Sequence, residues 1–205
     1  MNNSISNVLK ELEKQSSLEK SRRVDVPQKD RMLAITKETG EFLDMILRLK
    51  KAKYMLEVGT SVGYSAIWCA EAISENSGKI ITIEKNPDKI KRAYENFQKA
   101  EVTDIVTIKE GTAINILKEL NMKEENKDFF DFVLIDADKE NIIEYFDLIL
   151  PMASTGGIII TDNMLYPEKY RADMKKFSDY LKVNPNVRTT TLPIGNGEEI
   201  TIKIK

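Results

Sequence analysis

Apolar residues recur along this chain with two different periods. Ile5, Val8, Leu9 and Leu12 fall three and four apart, the spacing that lines one face of a helix, so residues 4–20 are expected to form an amphipathic helix. Ser16-Ser17-Leu18-Glu19 has the form of a capping box within that stretch, which would divide it into two short helices. Phe42, Met45, Ile46 and Leu49 mark a further helix across 36–50. From residue 53 onward, short apolar runs alternate with helical segments. Strands are expected at 53–58, 79–84, 105–109, 130–136 and 157–161, and helices at 63–73, 87–100, 112–120, 140–150 and 168–181. The helix at 87 has good start chemistry: Asn86 can cap it, Pro87 suits the first position and Asp88 suits the positive end of the dipole.

Near-continuous apolar strands separated by helices imply an α/β fold, a mostly parallel sheet covered on both faces. The tail differs. Residues 187–193 and 198–205 are strand-like, Ile200, Ile202 and Ile204 alternate, and Asn196-Gly197 is a turn signal, so an antiparallel hairpin is expected at the C-terminal edge. No repeat or linker interrupts the chain. Residues 1–205 are expected to form a single domain, with 1–35 an N-terminal helical lid or substrate region and 36–205 the core. Ligands of such sheets bind beyond the carboxyl ends of the strands, so the residues that follow each strand carry the functional question.

Composition removes several chemistries. The 205 residues include no histidine, which excludes Ser-His-Asp and Cys-His catalysis and every histidine-ligated metal. The single cysteine, Cys69, lies between Trp68 and Ala70 and reads as core; it allows neither an intrachain disulfide nor a four-cysteine metal site. Any metal must therefore be held by oxygen, which favours Mg²⁺, Ca²⁺ or Mn²⁺. Lysine and arginine total 31 against 33 acids, a net charge of −2, so there is no overall basic footprint for nucleic acid, though a local patch is still open. Lys20-Ser21-Arg22-Arg23 reads as a solvated connector. No apolar run approaches a membrane span of roughly 20 residues and the N-terminus is polar, so a cytoplasmic protein with no membrane partner is expected.

After the first strand the chain reads Glu57-Val58-Gly59-Thr60-Ser61-Val62-Gly63-Tyr64-Ser65, neither of the usual phosphate-binding glycine spacings. Gly59 permits a sharp turn and a close approach to a ligand. Glu57 suits a cationic ligand and would repel a pyrophosphate. Glu84 ends the second strand, where a carboxylate can accept hydrogen bonds from both hydroxyls of a ribose. Ala113, after the third strand, leaves room for a flat ring. Asp136-Ala137-Asp138-Lys139 follows the fourth strand and Asp162-Asn163 the fifth. If those strands are neighbours, Asp136, Asp162 and Asn163 converge as hard oxygen donors for a divalent cation. Helix capping by Asp136 or Asp138 and a simple turn at Asp162-Asn163 are the ordinary alternatives.

Three segments together carry a family resemblance: Leu56-Glu57-Val58-Gly59-Thr60 with Gly63-Tyr64-Ser65, Ile135-Asp136-Ala137-Asp138-Lys139, and Gly156-Gly157-Ile158-Ile159-Ile160-Thr161-Asp162-Asn163. The chain from about residue 35 onward resembles the metal- and S-adenosylmethionine-dependent O-methyltransferases of the catechol and caffeoyl-CoA type. The resemblance implies a Rossmann-like class I methyltransferase fold and a homodimer. It also implies roles. Glu57, Gly59, Thr60 and Ser65 would hold the methionine part of the donor, Glu84 its ribose and Ala113 its adenine, with Ile35 and Asp136 also beside it. Asp136, Asp162 and Asn163 would coordinate Mg²⁺ or another hard divalent cation, and Lys139 would be the catalytic residue, either removing a proton or stabilising an oxyanion.

The expected activity is divalent-metal-dependent methyl transfer from S-adenosylmethionine to a hydroxyl of a small catechol-like or phenolic acceptor. One alternative acceptor is a hydroxyuridine in tRNA, which Lys20, Arg22, Arg23, Lys169, Arg171, Lys175 and Lys176 would serve if they shared a face. A non-catalytic nucleotide-binding sensor and a dinucleotide-dependent oxidoreductase are the rivals from other classes; the first needs no Lys139, and the missing GxGxxG opposes the second. Met164-Leu165-Tyr166, the N-terminal helices and the hairpin are the candidate walls of an acceptor pocket. Glu198-Glu199 stand where the family pattern leads one to expect a shorter or more apolar continuation.

Overall fold

A computed structural model of the chain describes residues 2–205. Five strands run parallel: β1 (Tyr54–Val58), β2 (Lys79–Glu84), β3 (Val106–Glu110), β4 (Phe130–Ile135) and β5 (Ala153–Thr161). β6 (Val187–Leu192) and β7 (Glu198–Lys203) close one edge as an antiparallel pair, with β7 against β5. The resulting order is β3-β2-β1-β4-β5-β7-β6. Chain order reverses between β1 and β4, so the loops leaving those two strands diverge and open a crevice at their carboxyl ends.

The side-chain period of two divides the strands between two cores. Met55, Phe132, Leu134 and Ile160 face α1 (Asn3–Lys20), α2 (Lys37–Lys50), α3 (Tyr64–Glu75) and α4 (Pro87–Lys99). Leu56, Val58, Val133, Ile135 and Ile159 face α5 (Ala113–Asn121), α6 (Ile142–Ile149) and α7 (Arg171–Val183). The doubly covered, mostly parallel sheet with an antiparallel C-terminal pair is thus the architecture that the sequence pattern predicts. None of the described helices is long and apolar enough to cross a membrane.

Several local expectations change. The first helix is continuous through Lys20. Its internal capping-box residues serve tertiary structure instead: Ser16 is buried, and Glu19 accepts hydrogen bonds from the Met32 amide (2.6 Å) and Arg92 (3.0 Å). In α2 the buried face is Phe42, Leu43 and Leu47, while Met45 and Leu49 are exposed. β5 begins four residues earlier than the apolar run suggests, across an irregularity opposite Phe130 and Phe132. The hairpin connection is residues 193–197, one residue longer than the 194–197 left between the expected strands, and the Gly197 amide closes it onto the Ile194 carbonyl at 2.7 Å.

The connection from α1 to α2 is sewn onto the loops beyond β1 and β2. Arg92 donates to the Asp30 carbonyl (2.7 Å), and the Asn86 side chain donates to the Lys29 carbonyl (3.1 Å) and the Asp30 carboxylate (2.9 Å). The Leu33 amide donates to Ser61 Oγ at 3.3 Å.

Candidate active site

The turn after β1 exists because residue 59 is glycine. Its φ is +107°, and a β-carbon there would fall 2.0 Å from the Asp136 carbonyl oxygen. The Gly59 and Thr60 amides both donate to the Ile83 carbonyl at 3.1 Å, so the loop lies across the end of β2. Glu57 lies beneath it and is fully buried. Ser65 Oγ donates to one carboxylate oxygen and Thr82 Oγ1 to the other at 2.5 Å, while Thr82 and Thr60 share a 2.6 Å hydroxyl contact. Glu57 and Ser65 therefore brace the loop from inside.

Burial, opposed by the two hydroxyl donors and aided by the Asp136 and Glu84 carboxylates, pushes the Glu57 carboxyl up to about 7. Its folded value exceeds the unfolded one, so between about pH 4.5 and 7 the folded chain keeps a proton that the unfolded chain releases. Stability therefore falls as pH rises through that window and levels off above it. Denaturant melts across this range should show the wild type losing stability relative to Glu57→Gln; parallel curves would show that Glu57 titrates as an ordinary carboxylate.

Glu84 joins the loops. Its Oε2 accepts from the Ser61 amide (2.8 Å) and its Oε1 from the Lys85 and Asn86 amides (2.9 and 3.0 Å). Those bonds take three of the roughly four acceptor positions of a carboxylate. The Glu84 carbonyl accepts from the Gly111 amide at 2.9 Å, which brings Ala113, the half-buried first residue of α5, to the same end of the sheet. Ile35 is buried in the core under α1–α4 and walls a cavity of about 570 Å³ between α1, residues 32–37 and Tyr64.

The ends of β4 and β5 gather charge. The Asp136 amide donates to the Val58 carbonyl (2.9 Å) and the Asp162 amide to the Ile135 carbonyl (3.1 Å), so each loop is pinned to its neighbour. Lys139 Nζ is buried 3.7 Å from Asp136 Oδ1 and has no hydrogen-bond partner among the described residues. Asp138 takes the ordinary structural role, accepting from Asn141 and Tyr145 at 2.6 Å each at the start of α6. Asp162 is buried, and its Oδ1 accepts from the Asn163 amide at 2.6 Å. Asn163 is left-handed, with φ +68°, a conformation asparagine tolerates better than most residues. Asp136, Lys139 and Asp162 thus come together, with Asn163 next in chain. Glu57, Gly59, Thr60, Ser65 and Glu84 form a second group around the β1 and β2 loops.

The acidic group has a further member, which the sequence marks only as a departure from the family pattern and not as a site residue. Glu198 is fully buried at the start of β7; Thr39 Oγ1 donates to its Oε1 at 2.9 Å, and its Oε2 has no partner among the described residues. The available signal was an acid on the same strand face as Ile200 and Ile202. Burial pushes Glu198 up to about 10, with the Asp162 carboxylate next in effect. Burial likewise pushes Asp162 up to about 7, aided by Asp136 and opposed by Lys139. Asp136 is raised by burial and lowered by Lys139. Buried Asp162 and Glu198 and half-buried Asp136 thus hold protons more readily than ordinary carboxylates, and a bound cation would displace those protons. Among the described residues, no three His, Cys, Asp or Glu side chains already stand as a cation cage.

The neighbouring walls are mixed. Met164 is buried, while Leu165 and Tyr166 are exposed. A cavity of about 510 Å³ runs from Met164 and Leu165 along α7 to Thr191. Neither cavity includes Asp136 or Lys139 in its walls. On and before α7, Arg171, Lys175 and Lys176 pair with Glu168, Asp179 and Asp173, and Lys169 lies 4.5 Å from the Tyr170 ring centre.

A sequence-family model described as O-methyltransferase matches residues 10–204. The caffeoyl-CoA O-methyltransferase of Medicago sativa is 31% identical over 189 residues, covering 85% of this chain and 76% of that protein. The catechol O-methyltransferase of Niastella koreensis is 39% identical over 133 residues, covering 65% and 59%. Among solved structures, the O-methyltransferase TomG of Streptomyces achromogenes in complex with SAM superposes with a TM-score of 0.80 at 26% identity, covering 100% of this chain and 91% of that one. An O-methyltransferase of Bacillus cereus in complex with SAH has the same fold, with a TM-score of 0.80 at 24% identity, covering 99% and 91%.

Proposed function

The chain belongs to the O-methyltransferase family, and from that premise we propose that it transfers a methyl group from S-adenosylmethionine to a hydroxyl of a small catechol-like or phenolic acceptor, with a divalent cation such as Mg²⁺. One observation carries the reading: a buried lysine amine without a hydrogen-bond partner lies beside the Asp136 carboxylate at the ends of adjacent strands, next to a glycine turn. A sensor has no use for that amine.

The residues fit both absent groups. The donor end offers a tight glycine turn, the free acceptor position of Glu84 and a small residue at Ala113; S-adenosylmethionine would supply an electrophilic methyl group on a sulfonium. Asp136, Asp162 and Asn163 offer hard oxygen donors, and would hold a cation whose Lewis acidity favours an ionised acceptor oxygen. Lys139 Nζ would accept the proton of the acceptor hydroxyl, or stabilise its oxyanion, as that oxygen takes the methyl group, the carbon–sulfur bond breaks and the sulfur leaves as a neutral thioether. Asp136, 3.7 Å away, holds the amine in place. The pinned loops fix the angle between donor and acceptor, which is where much of the rate arises. Residues 1–35 serve as the lid or substrate region of the single domain.

The test is methyl transfer from labelled donor to catechols, a caffeoyl thioester and bulk tRNA, each with Mg²⁺ and after exhaustive chelation. Transfer to the small acceptors that chelation abolishes and Mg²⁺ restores is expected. Full activity after chelation would remove the cation from the reaction, and transfer confined to tRNA would replace the acceptor class. The acids matched to the α7 bases favour the small acceptor. We also place the protein in the cytoplasm as a homodimer, in keeping with the uncovered Met45, Leu49 and Ile202; light scattering at the monomer mass would refute the dimer.

A further inference from the structure

Glu198 reaches the acidic site from a different part of the chain than the other acids. β7 runs antiparallel to β5 with Thr161 opposite Glu199, so the register carried one step further sets Asp162 opposite Glu198. Directly opposed residues in such pairs have β-carbons roughly 4.5–5.5 Å apart. Glu198 Oε1 is tied to Thr39 of α2, and Oε2 is buried without a donor. Two facing carboxyls buried this deeply must share a proton or take up a positive group.

The hairpin turn holds Glu198 there. The Gly197 carbonyl accepts from the Met164 amide at 2.9 Å, and a β-carbon on Gly195 would fall 2.3 Å from Thr39 Oγ1, so the turn is pressed against both the segment after Asn163 and the start of α2. The carboxylate has no room to swing into solvent.

We propose that Glu198 is a positioning residue for cation binding: acting through Asp162, it fixes that carboxylate and adds a third carboxyl group to the ends of β4 and β5. The proposal rests on the cation reading above. It gives this chain a tighter hold on a divalent ion than Asp136, Asp162 and Asn163 provide by themselves. Glu198 is an outer partner, and outer partners of metal ligands typically change affinity by about 10- to 100-fold.

Mn²⁺ binding to the full chain, without donor or acceptor, tests this through the electron paramagnetic resonance signal of the free ion. Glu198→Gln, which keeps the shape and removes the charge, is expected to weaken Mn²⁺ about 10- to 100-fold. Glu198→Asp should recover part of the loss, and Thr39→Val should weaken binding in the same direction by a smaller factor. Wild-type affinity in Glu198→Gln, with binding impaired in Asp162→Asn, overturns the role of Glu198 and leaves the cation reading standing. Unchanged affinity in Asp162→Asn, or no Mn²⁺ bound by the wild type, overturns both. Should Glu198→Gln fail to fold, Thr39→Val decides, and unchanged affinity there counts against the proposal.

Discussion

Lys139→Ala is expected to lower kcat by about 10²- to 10⁴-fold, the range for loss of a positioned acid or base, while donor affinity stays within about threefold. The asymmetry follows from location. Lys139 Nζ lies 3.7 Å from Asp136 at the end of β4, and its side chain is 5% exposed. The proposed donor-side group instead hangs on the loop beyond β1 and on Glu84, whose oxygens are engaged by the Ser61, Lys85 and Asn86 amides. A step that needs the amine fails while the donor seat stays built. Lys139→Arg separates proton removal from electrostatic support, since guanidinium keeps its charge and does not act as a base. If Arg restores most of the rate, Lys139 acts by charge. Steady-state kcat at saturating donor and acceptor, with calorimetric donor affinity, is the measurement. Turnover of Lys139→Ala within threefold of wild type would take Lys139 out of the reaction.

Gly59→Val should sharply lower the protein's melting midpoint. The β-carbon would lie 2.0 Å from the Asp136 carbonyl oxygen, which is backbone and pinned, since the Asp136 amide donates to Val58 at 2.9 Å. The residue would also have to keep a φ of +107°. The dihedral alone costs on the order of 1–3 kcal/mol, and a backbone clash in a packed strand end adds more. At about 2–4 °C per kcal/mol for a chain of this size, the melting midpoint falls by roughly 10 °C or more. Gly156 supplies the control: its φ is +75°, and a β-carbon there meets nothing within 4 Å. Gly156→Ala should therefore show the dihedral cost alone. A midpoint for Gly59→Val no lower than that of Gly156→Ala would mean that the two loops part easily.

Much of this site was legible because strand ends can be counted. Apolar runs closed by Glu84, Asp136 and Asp162 announce where a parallel sheet presents its carboxyl ends, and the adjacency of β4 and β5 brings the last two together. Glu198 was not legible for a physical reason. Its partner is set by the β5–β7 register, which depends on how many residues the turn consumes, and Asn196-Gly197 signals a turn without fixing its five-residue length. A one-residue slip would send the same acid to the other face. Similar limits explain the helices. Glu19 looks like part of a cap until Arg92 and Met32, distant in sequence, take its oxygens. Met45 and Leu49 match a helical stripe, but the face that packs is the one carrying Leu43 and Leu47.

Stitches from residues 29–33 to Glu19, Ser61 and Asn86 turn the amino-terminal segment into a built-in reporter of the loops beyond β1 and β2. The Met32 and Leu33 amides exchange with solvent only when their bonds to Glu19 and Ser61 open. Deuterium uptake in one short peptide, far in sequence from the glycine turn, thus reads out how tightly that turn is held.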